Sequence, residues 1–345
     1  MNSFTLTSNN YEKKSMFLAY ATDEAKHLKE IGRFGVAKNH VSAYRRFANF
    51  LECVGMNDVP FSQMTPQLLS DFEGWLRSQN ICRNSSSCYL RSLSTIWHKA
   101  ERDGLIKKRT SGGRVYTFEN PFKGTYRGRC KTRKRAVGAD SVSRVYNLDI
   151  EAVLTADSGK PAGMRLRNRI DRLELYRDLF IFSFCARGMT FVDMANLRKD
   201  EVRDGIIVYS RQKTGQRVEV RMEPIMQSVI DRHPSSSSFL FPILDDNDSK
   251  LTAYKKYRNA LRQYNKSLHE IGELTGISHL TSYVARHSWA TTAHENDLPV
   301  PVISQALGHN SLATTEIYLK SLEVNAIDEA NHDLLNCVFG KKSVF

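Results

Sequence analysis

The chain has 345 residues, 41% hydrophobic and 25% charged, with 50 Lys and Arg against 37 Asp and Glu, for a net charge of +13. That length suggests two domains, and the apolar content is enough for ordinary cores and excludes a wholly disordered chain. The basic surplus points to a polyanion such as nucleic acid. The polar opening MNSFTLTSNN lacks a signal pattern, and no apolar run reaches the roughly 20 residues a bilayer requires, so a cytoplasmic protein with no membrane partner is expected.

From Tyr11 to about Arg109 apolar residues recur at helical intervals. Phe34–Leu51 spaces Val36, His40, Tyr44, Phe47 and Leu51 along one helix. In Phe61–Gln79, Thr65 is placed to cap a helix with Pro66 in its first position, and Leu69, Phe72 and Leu76 share a face. Ser85–Arg102 carries Tyr89, Leu93, Ile96 and Trp97, and Gly104 can stop it. The expectation is a small four-helix bundle over 11–109.

Lys107–Arg135 breaks this pattern with five residues of the types Gly and Pro. It holds eleven basic residues and the single acid Glu119. Residues 110–135 therefore read as a basic linker, either solvated or lying along DNA phosphates, with Arg127, Arg129, Lys131, Arg133, Lys134 and Arg135 as its DNA-binding residues.

From 136 to about 340 a second, mostly helical domain is expected. Leu173–Arg187 reads as a buried helix, and Ile206–Tyr209 with Val218–Arg221 as a hairpin around Arg211–Gly215. Helices are expected at Ala253–Thr275, Ser282–Glu295, Pro301–Gly308, Ser311–Ser321 and Asn325–Val338. Ser235–Ser238 reads as a surface loop. The fold class is mainly α, in two domains, with a small β hairpin or sheet in the second.

No P-loop, H-E-x-x-H motif, dinucleotide fingerprint or cluster of acids for two metals is present. The six cysteines, Cys53, Cys82, Cys88, Cys130, Cys185 and Cys337, form no C-x-x-C pair or zinc spacing and read as reduced thiols. No cofactor or metal is expected. Chemistry on DNA would then rest on a side-chain hydroxyl nucleophile with Arg, Lys and His around the charge.

The C-terminal third supplies such a set. Arg286-His287 is followed by Ala290-Thr291, and Leu307-Gly308-His309 by Thr315 and Tyr318. In order and spacing the sequence resembles the tyrosine recombinase (phage integrase) family, whose last two boxes read roughly H-x-x-R-H-x-x-A-T and L-G-H-x-x-x-x-T-x-x-Y. The likeness extends over the chain: a helical core-binding domain, a basic linker and a catalytic domain with a lysine-bearing hairpin. It implies that Tyr318 attacks a DNA phosphodiester to give a 3′-phosphotyrosyl link, that Arg286 and a second arginine offset the charge at phosphorus, that His309 contacts the phosphate, and that Lys213 protonates the leaving 5′ oxygen. It also implies a homo-tetramer on double-stranded DNA that passes through a Holliday junction, with Asn325–Val338 docking onto a neighbour. The activity expected is site-specific recombination, possible as inversion, on short core sites without an arm-binding domain. Two alternatives stay open: a type IB topoisomerase, and a DNA-binding protein that has lost catalysis.

Two positions depart from the family pattern. Tyr283 stands where the H-x-x-R box has His, and a phenol is a poor proton shuttle at neutral pH; His279 is a nearby alternative. In Gly188-Met-Thr190-Phe-Val-Asp193-Met-Ala-Asn-Leu197, Thr190 stands where the first arginine of a G-L-R-x-x-E-x-x-x-L box is expected. Arg187, three residues earlier, would share a helical face with that position and could supply the guanidinium, as could Arg165, Arg167 or Arg169. His287 reads as structural.

Overall fold

A computed structural model describes residues 15–106, 109–111, 114–116, 119–128, 130, 135–156, 163–309 and 315. Packing divides the chain into two units, 1–132 and 133–345.

In the first unit the apolar stripes form four helices: α1 (Phe17–Glu30), α2 (Phe34–Cys53), α3 (Pro66–Ser78) and α4 (Arg83–Arg102). α2 buries Ala37, His40, Ala43, Phe47, Phe50 and Leu51, the i, i+3, i+4 pattern of a core-facing helix. Val36 and Tyr44 lie at the margin of that stripe, half-buried. Aromatic rings knit the helices: Phe47 lies 5.7 Å from Phe17 and 5.1 Å from Phe72, both edge-on. Thr65 caps α3, accepting from Leu68 N–H at 3.2 Å, with Pro66 next in line. The N-terminus of α1 has no cap of its own. Asp58, about forty residues on, accepts from Leu18 N–H (2.8 Å) and Ala19 N–H (3.1 Å) instead.

The linker is more ordered than its composition suggests. β1 (Arg109–Ser111) pairs antiparallel with β2 (Arg114–Tyr116), Thr110 facing Val115. Phe122 is wholly buried in the bundle's core. Beyond it the chain is fastened to α4: Asn84 accepts from Cys130 N–H (2.8 Å) and donates to its carbonyl (3.2 Å), as a neighbouring strand would. Ser87 donates to the Gly128 carbonyl at 2.6 Å, and the Arg83 guanidinium lies 4.0 Å from the centre of the Tyr126 ring. The expectation of an irregular 110–135 is corrected to that extent, because polar side chains along α4 satisfy the linker's backbone.

The second unit runs α5 (Ala139–Tyr146), α6 (Ile150–Thr155), α7 (Met164–Cys185), α8 (Phe191–Asn196), a sheet of β3 (Val202–Arg203), β4 (Ile206–Ser210) and β5 (Arg217–Arg221), then α9 (Pro224–Arg232), α10 (Lys250–Thr275), α11 (Ser282–Glu295) and α12 (Val300–Ala306). The sheet is antiparallel in the order β3-β4-β5, with Ile207 opposite Val220 and Tyr209 opposite Val218. These four are buried while Glu219 between them is exposed, the period-2 alternation of a half-covered sheet.

α7 is the centre of this unit, with α5, α6, α9, α10 and α11 packed on it. It begins nine residues before the expected Leu173 because its first half is mostly charged and carries little apolar period. Arg169 and Arg172 of that half both bond Glu270 of α10, the latter at 3.1 Å. Farther along, Asp178 is 2% exposed and is held by Arg177 Nε (2.9 Å), Arg232 Nε (3.1 Å) and His233 Nε2 (2.8 Å). The serine run 235–238 is also anchored rather than free: Ser237 donates to the Leu244 carbonyl at 3.0 Å.

Candidate active site

α7 ends at Cys185, and Arg187 and Gly188 follow with φ of 57° and 71°. Two successive left-handed residues reverse the chain, and Ser183 closes the turn by accepting Gly188 N–H at 2.8 Å and donating its hydroxyl to the Met189 carbonyl at 2.7 Å. Gly188 is also required by contact: a Cβ there would lie 2.7 Å from Arg286 Cα. That close approach lets α11 run against the turn, and Arg286 Nη1 donates to the Gly188 carbonyl at 2.9 Å.

Arg286 is 4% exposed, and its Nη2 donates both to the Leu307 carbonyl (2.6 Å) and to His309 Nε2 (2.9 Å). Leu307 caps α12, and Gly308 turns left-handed after it (φ 63°), so that His309 N–H reaches back to the Ser304 carbonyl at 3.0 Å. The expected corner between Gly308 and His309 is thus present. His309 Nδ1 lies 2.7 Å from the hydroxyl of fully buried Thr315.

A second buried arginine meets the same carbonyls. Arg211 Nη1 donates to Leu307 O (3.1 Å) and Gly308 O (2.7 Å), and a Cβ on Gly308 would lie 2.6 Å from Arg211 Cδ. Arg211 is 6% exposed; its Nε lies 3.6 Å from Asp193 Oδ2 and makes no hydrogen bond among the described residues. Asp193 is itself 3% exposed, accepting from Thr190 Oγ1 (2.6 Å) and from Gln212 N–H (2.8 Å). Through that last bond α8 anchors the β4–β5 turn, whose exposed Lys213 stands one residue farther.

Arg211 was legible but overlooked: Ile207, Tyr209 and Arg211 follow one another at period 2, so the inward face of β4 runs straight into it. The helical-spacing argument for Arg187 does not hold, since residues 186–190 are a turn and not a continuation of α7. Arg187 is half-buried and lines a cleft of about 490 Å³ with Arg217, Val218, Val302, Gln305 and Ala306. It is nonetheless near the cluster: the charges of Arg211, Arg286 and Arg187 all act to lower the pKa of the Tyr209 phenol, against burial and Asp193, which leave it raised. Arg165 and Arg167 lie in the first turn of α7, and Arg169 is engaged by Glu270.

Electrostatics follow from this crowding. Burial, and then the charges of Arg286, Arg211 and Lys213, push the His309 pKa down to about 4. His287, half-buried, is also pushed down to about 4, by burial first and then by Arg135 and Arg286. Tyr283 is 43% exposed, with its ring 6.0 Å from that of His287, and His279 is exposed in a left-handed turn. Of the linker cations, Arg127 and Arg135 are exposed, and Arg127 also donates to Ser94 at 3.3 Å. Tyr318, Arg129, Lys131, Arg133, Lys134, Ser311–Ser321 and Asn325–Val338 lie outside the described residues.

Residues 16–112 match the family model described as phage integrase SAM-like domain, and residues 150–324 the one described as phage integrase family. The tyrosine recombinase XerD of Listeria monocytogenes is 25% identical over 306 residues, covering 82% of this chain and 88% of that protein. The tyrosine recombinase XerA of Thermococcus kodakarensis is 27% identical over 147 residues, 41% of this chain and 50% of the relative. Among solved structures, a lambda integrase dimer bound to a COC′ core site is similar with a TM-score of 0.55 at 16% identity, covering 88% of this chain and 95% of that one. The XerH recombinase bound to its difH substrate gives 0.55 at 13% identity, covering 89% and 84%. No helix among the described residues is long and apolar enough to cross a membrane.

Proposed function

The chain belongs to the phage integrase family, and from that membership we propose how its site performs site-specific cutting and rejoining of DNA. The observation that carries the reading is the convergence of two buried guanidiniums, Arg286 and Arg211, on the Leu307 carbonyl beside His309. A phosphate approaching that point meets two positive charges already desolvated and aimed, which is where the extra negative charge of a pentavalent phosphorus needs them. Arg211 takes the part that Thr190 cannot play; Arg187 is the competing source of that charge.

Tyr318 attacks phosphorus and forms a 3′-phosphotyrosyl link, while Lys213, exposed at the hairpin tip, gives its proton to the departing 5′ oxygen. A 5′ hydroxyl of the partner duplex then displaces the tyrosine, so the phosphodiester energy is kept and a Holliday junction is passed through. Arg127, Arg129, Lys131, Arg133, Lys134 and Arg135 lie along the duplex, and four protomers assemble on DNA through the segment Asn325–Val338. Tyr283, at the position of the family's histidine, faces solvent and contacts the DNA backbone as a hydrogen-bond donor.

The test is a nicked suicide substrate. The chain should become covalently attached to a 3′ end, and Tyr318→Phe should abolish the adduct while binding DNA nearly as well, since it removes one oxygen and keeps the ring. An adduct still formed by the mutant would move the nucleophile elsewhere. Relaxation of supercoiled DNA lacking a recombination site would favour a topoisomerase, and absence of any adduct a DNA-binding protein.

A further inference from the structure

His309 sits between two partners whose chemistry differs. A guanidinium has donors and no acceptor, so in the contact between Arg286 Nη2 and His309 Nε2 the nitrogen of the ring must be the acceptor. Its lone pair is therefore on Nε2. The ring is neutral at pH 7, because burial and the facing charges of Arg286 on α11 and of Arg211 and Lys213 on the β4–β5 turn hold its pKa near 4. A neutral imidazole with bare Nε2 carries its proton on Nδ1, and that N–H points at the Thr315 hydroxyl 2.7 Å away.

We propose that Thr315 is a positioning residue that fixes His309 as the Nδ1–H tautomer, so that Nε2 meets the reacting phosphate as a lone pair and takes up a proton during strand cleavage. This rests on the cleavage chemistry proposed above and revises the simple expectation that His309 donates to a phosphate oxygen: as a neutral ring it cannot do so from Nε2. The arriving phosphate takes over the Nη2 donor of Arg286 and frees the lone pair. As the tyrosine oxygen bonds phosphorus, its proton passes to Nε2; as the P–O5′ bond breaks, the 5′ oxygen takes a proton from Lys213. The imidazolium then has two N–H groups, one on Thr315 and one on the phosphate, and rejoining returns each proton by the reverse path. Tyr283, 43% exposed and with its ring 6.0 Å from that of His287, is not set up for this role.

The geometry is that of a base held by a third group, with a hydroxyl where a carboxylate is more usual. Thr315→Val keeps the volume of a fully buried side chain and removes the acceptor; Thr315→Ser keeps the acceptor. Nitrogen NMR of the full chain with labelled histidine, assigned through His309→Gln, reads the tautomer without DNA. Wild type and Thr315→Ser should show Nδ1 protonated and Nε2 bare, and Thr315→Val a mixture, with adduct formation slowed about tenfold or more and restored in the serine variant. Wild-type cleavage should show no loss between pH 8 and pH 6 from titration of this ring. A wild-type spectrum with Nε2 protonated, or a folded Thr315→Val with wild-type tautomer and rate, would overturn the proposal. A wild type that shows the expected tautomer but forms no adduct would instead overturn the cleavage reading, and with it the proton transfer.

Discussion

Replacing Arg211 by Gln removes the cation whose Nη1 holds the Leu307 and Gly308 carbonyls at 3.1 and 2.7 Å. Two consequences can be separated. The buried Asp193 loses a guanidinium 3.6 Å away but keeps Gln212 N–H and the Thr190 hydroxyl, so the stability lost should lie at the low end of the range for breaking a buried pair, about 3 kcal/mol. The site loses a preorganised charge, which by analogy with the removal of oxyanion-hole donors should slow cleavage by 10²–10³, roughly 3–4 kcal/mol. Adding Asp193→Asn removes the uncompensated carboxylate as well. It should recover at least about 1 kcal/mol of folding stability without recovering cleavage. Urea denaturation gives the first quantity and single-turnover adduct formation on a suicide substrate gives the second. A folded Arg211→Gln/Asp193→Asn protein that cleaves within about threefold of wild type would refute the assignment, since such a ratio is below 1 kcal/mol. If Arg187→Gln carries the loss instead, the second guanidinium is Arg187.

Asp178→Asn should destabilise the second unit by about 3 kcal/mol at pH 7, since two guanidiniums and His233 then face a neutral amide. Burial alone would raise this carboxyl's pKa, but the hydrogen bond from His233 and the charges of Arg177 and Arg232 outweigh it and leave the value lowered. The contribution is therefore present above the unfolded carboxyl's pKa of roughly 3.9 and lost as pH falls through the lower folded value; denaturation at pH 7 and below pH 4 should show the wild-type advantage shrinking. Changing Arg127, Arg129, Lys131 and Arg133 together to Gln should weaken binding to specific and random DNA alike and lower the slope of log K against log salt by about 0.9 per lost contact; an unchanged slope would mean the linker does not touch phosphates. Truncation after Ser321 should reduce synapsis of two duplexes, measured by gel shift, more than binding of one; equal loss of both would point to packing within the protomer.

Local pattern determined a good deal here. The α2 and α3 stripes, the Thr65 cap, the β4–β5 hairpin and the turn that brings His309 out of α12 each follow from spacing within a dozen or so residues, because helical and strand periods fix which side chains share a face. The motif order from Arg286 to Tyr318 likewise named the chemistry before any geometry. Tertiary structure alone decided which second cation joins Arg286. Sequence proximity favoured Arg187, yet the left-handed turn after Cys185 takes its backbone off the helix, while Arg211 reaches carbonyls 96 and 97 residues away. The same holds for Asp58 at the start of α1 and for Arg232 and His233 around Asp178. A charge buried at low exposure must find its partners wherever packing brings them, and nothing in the local spacing of the chain records that distance.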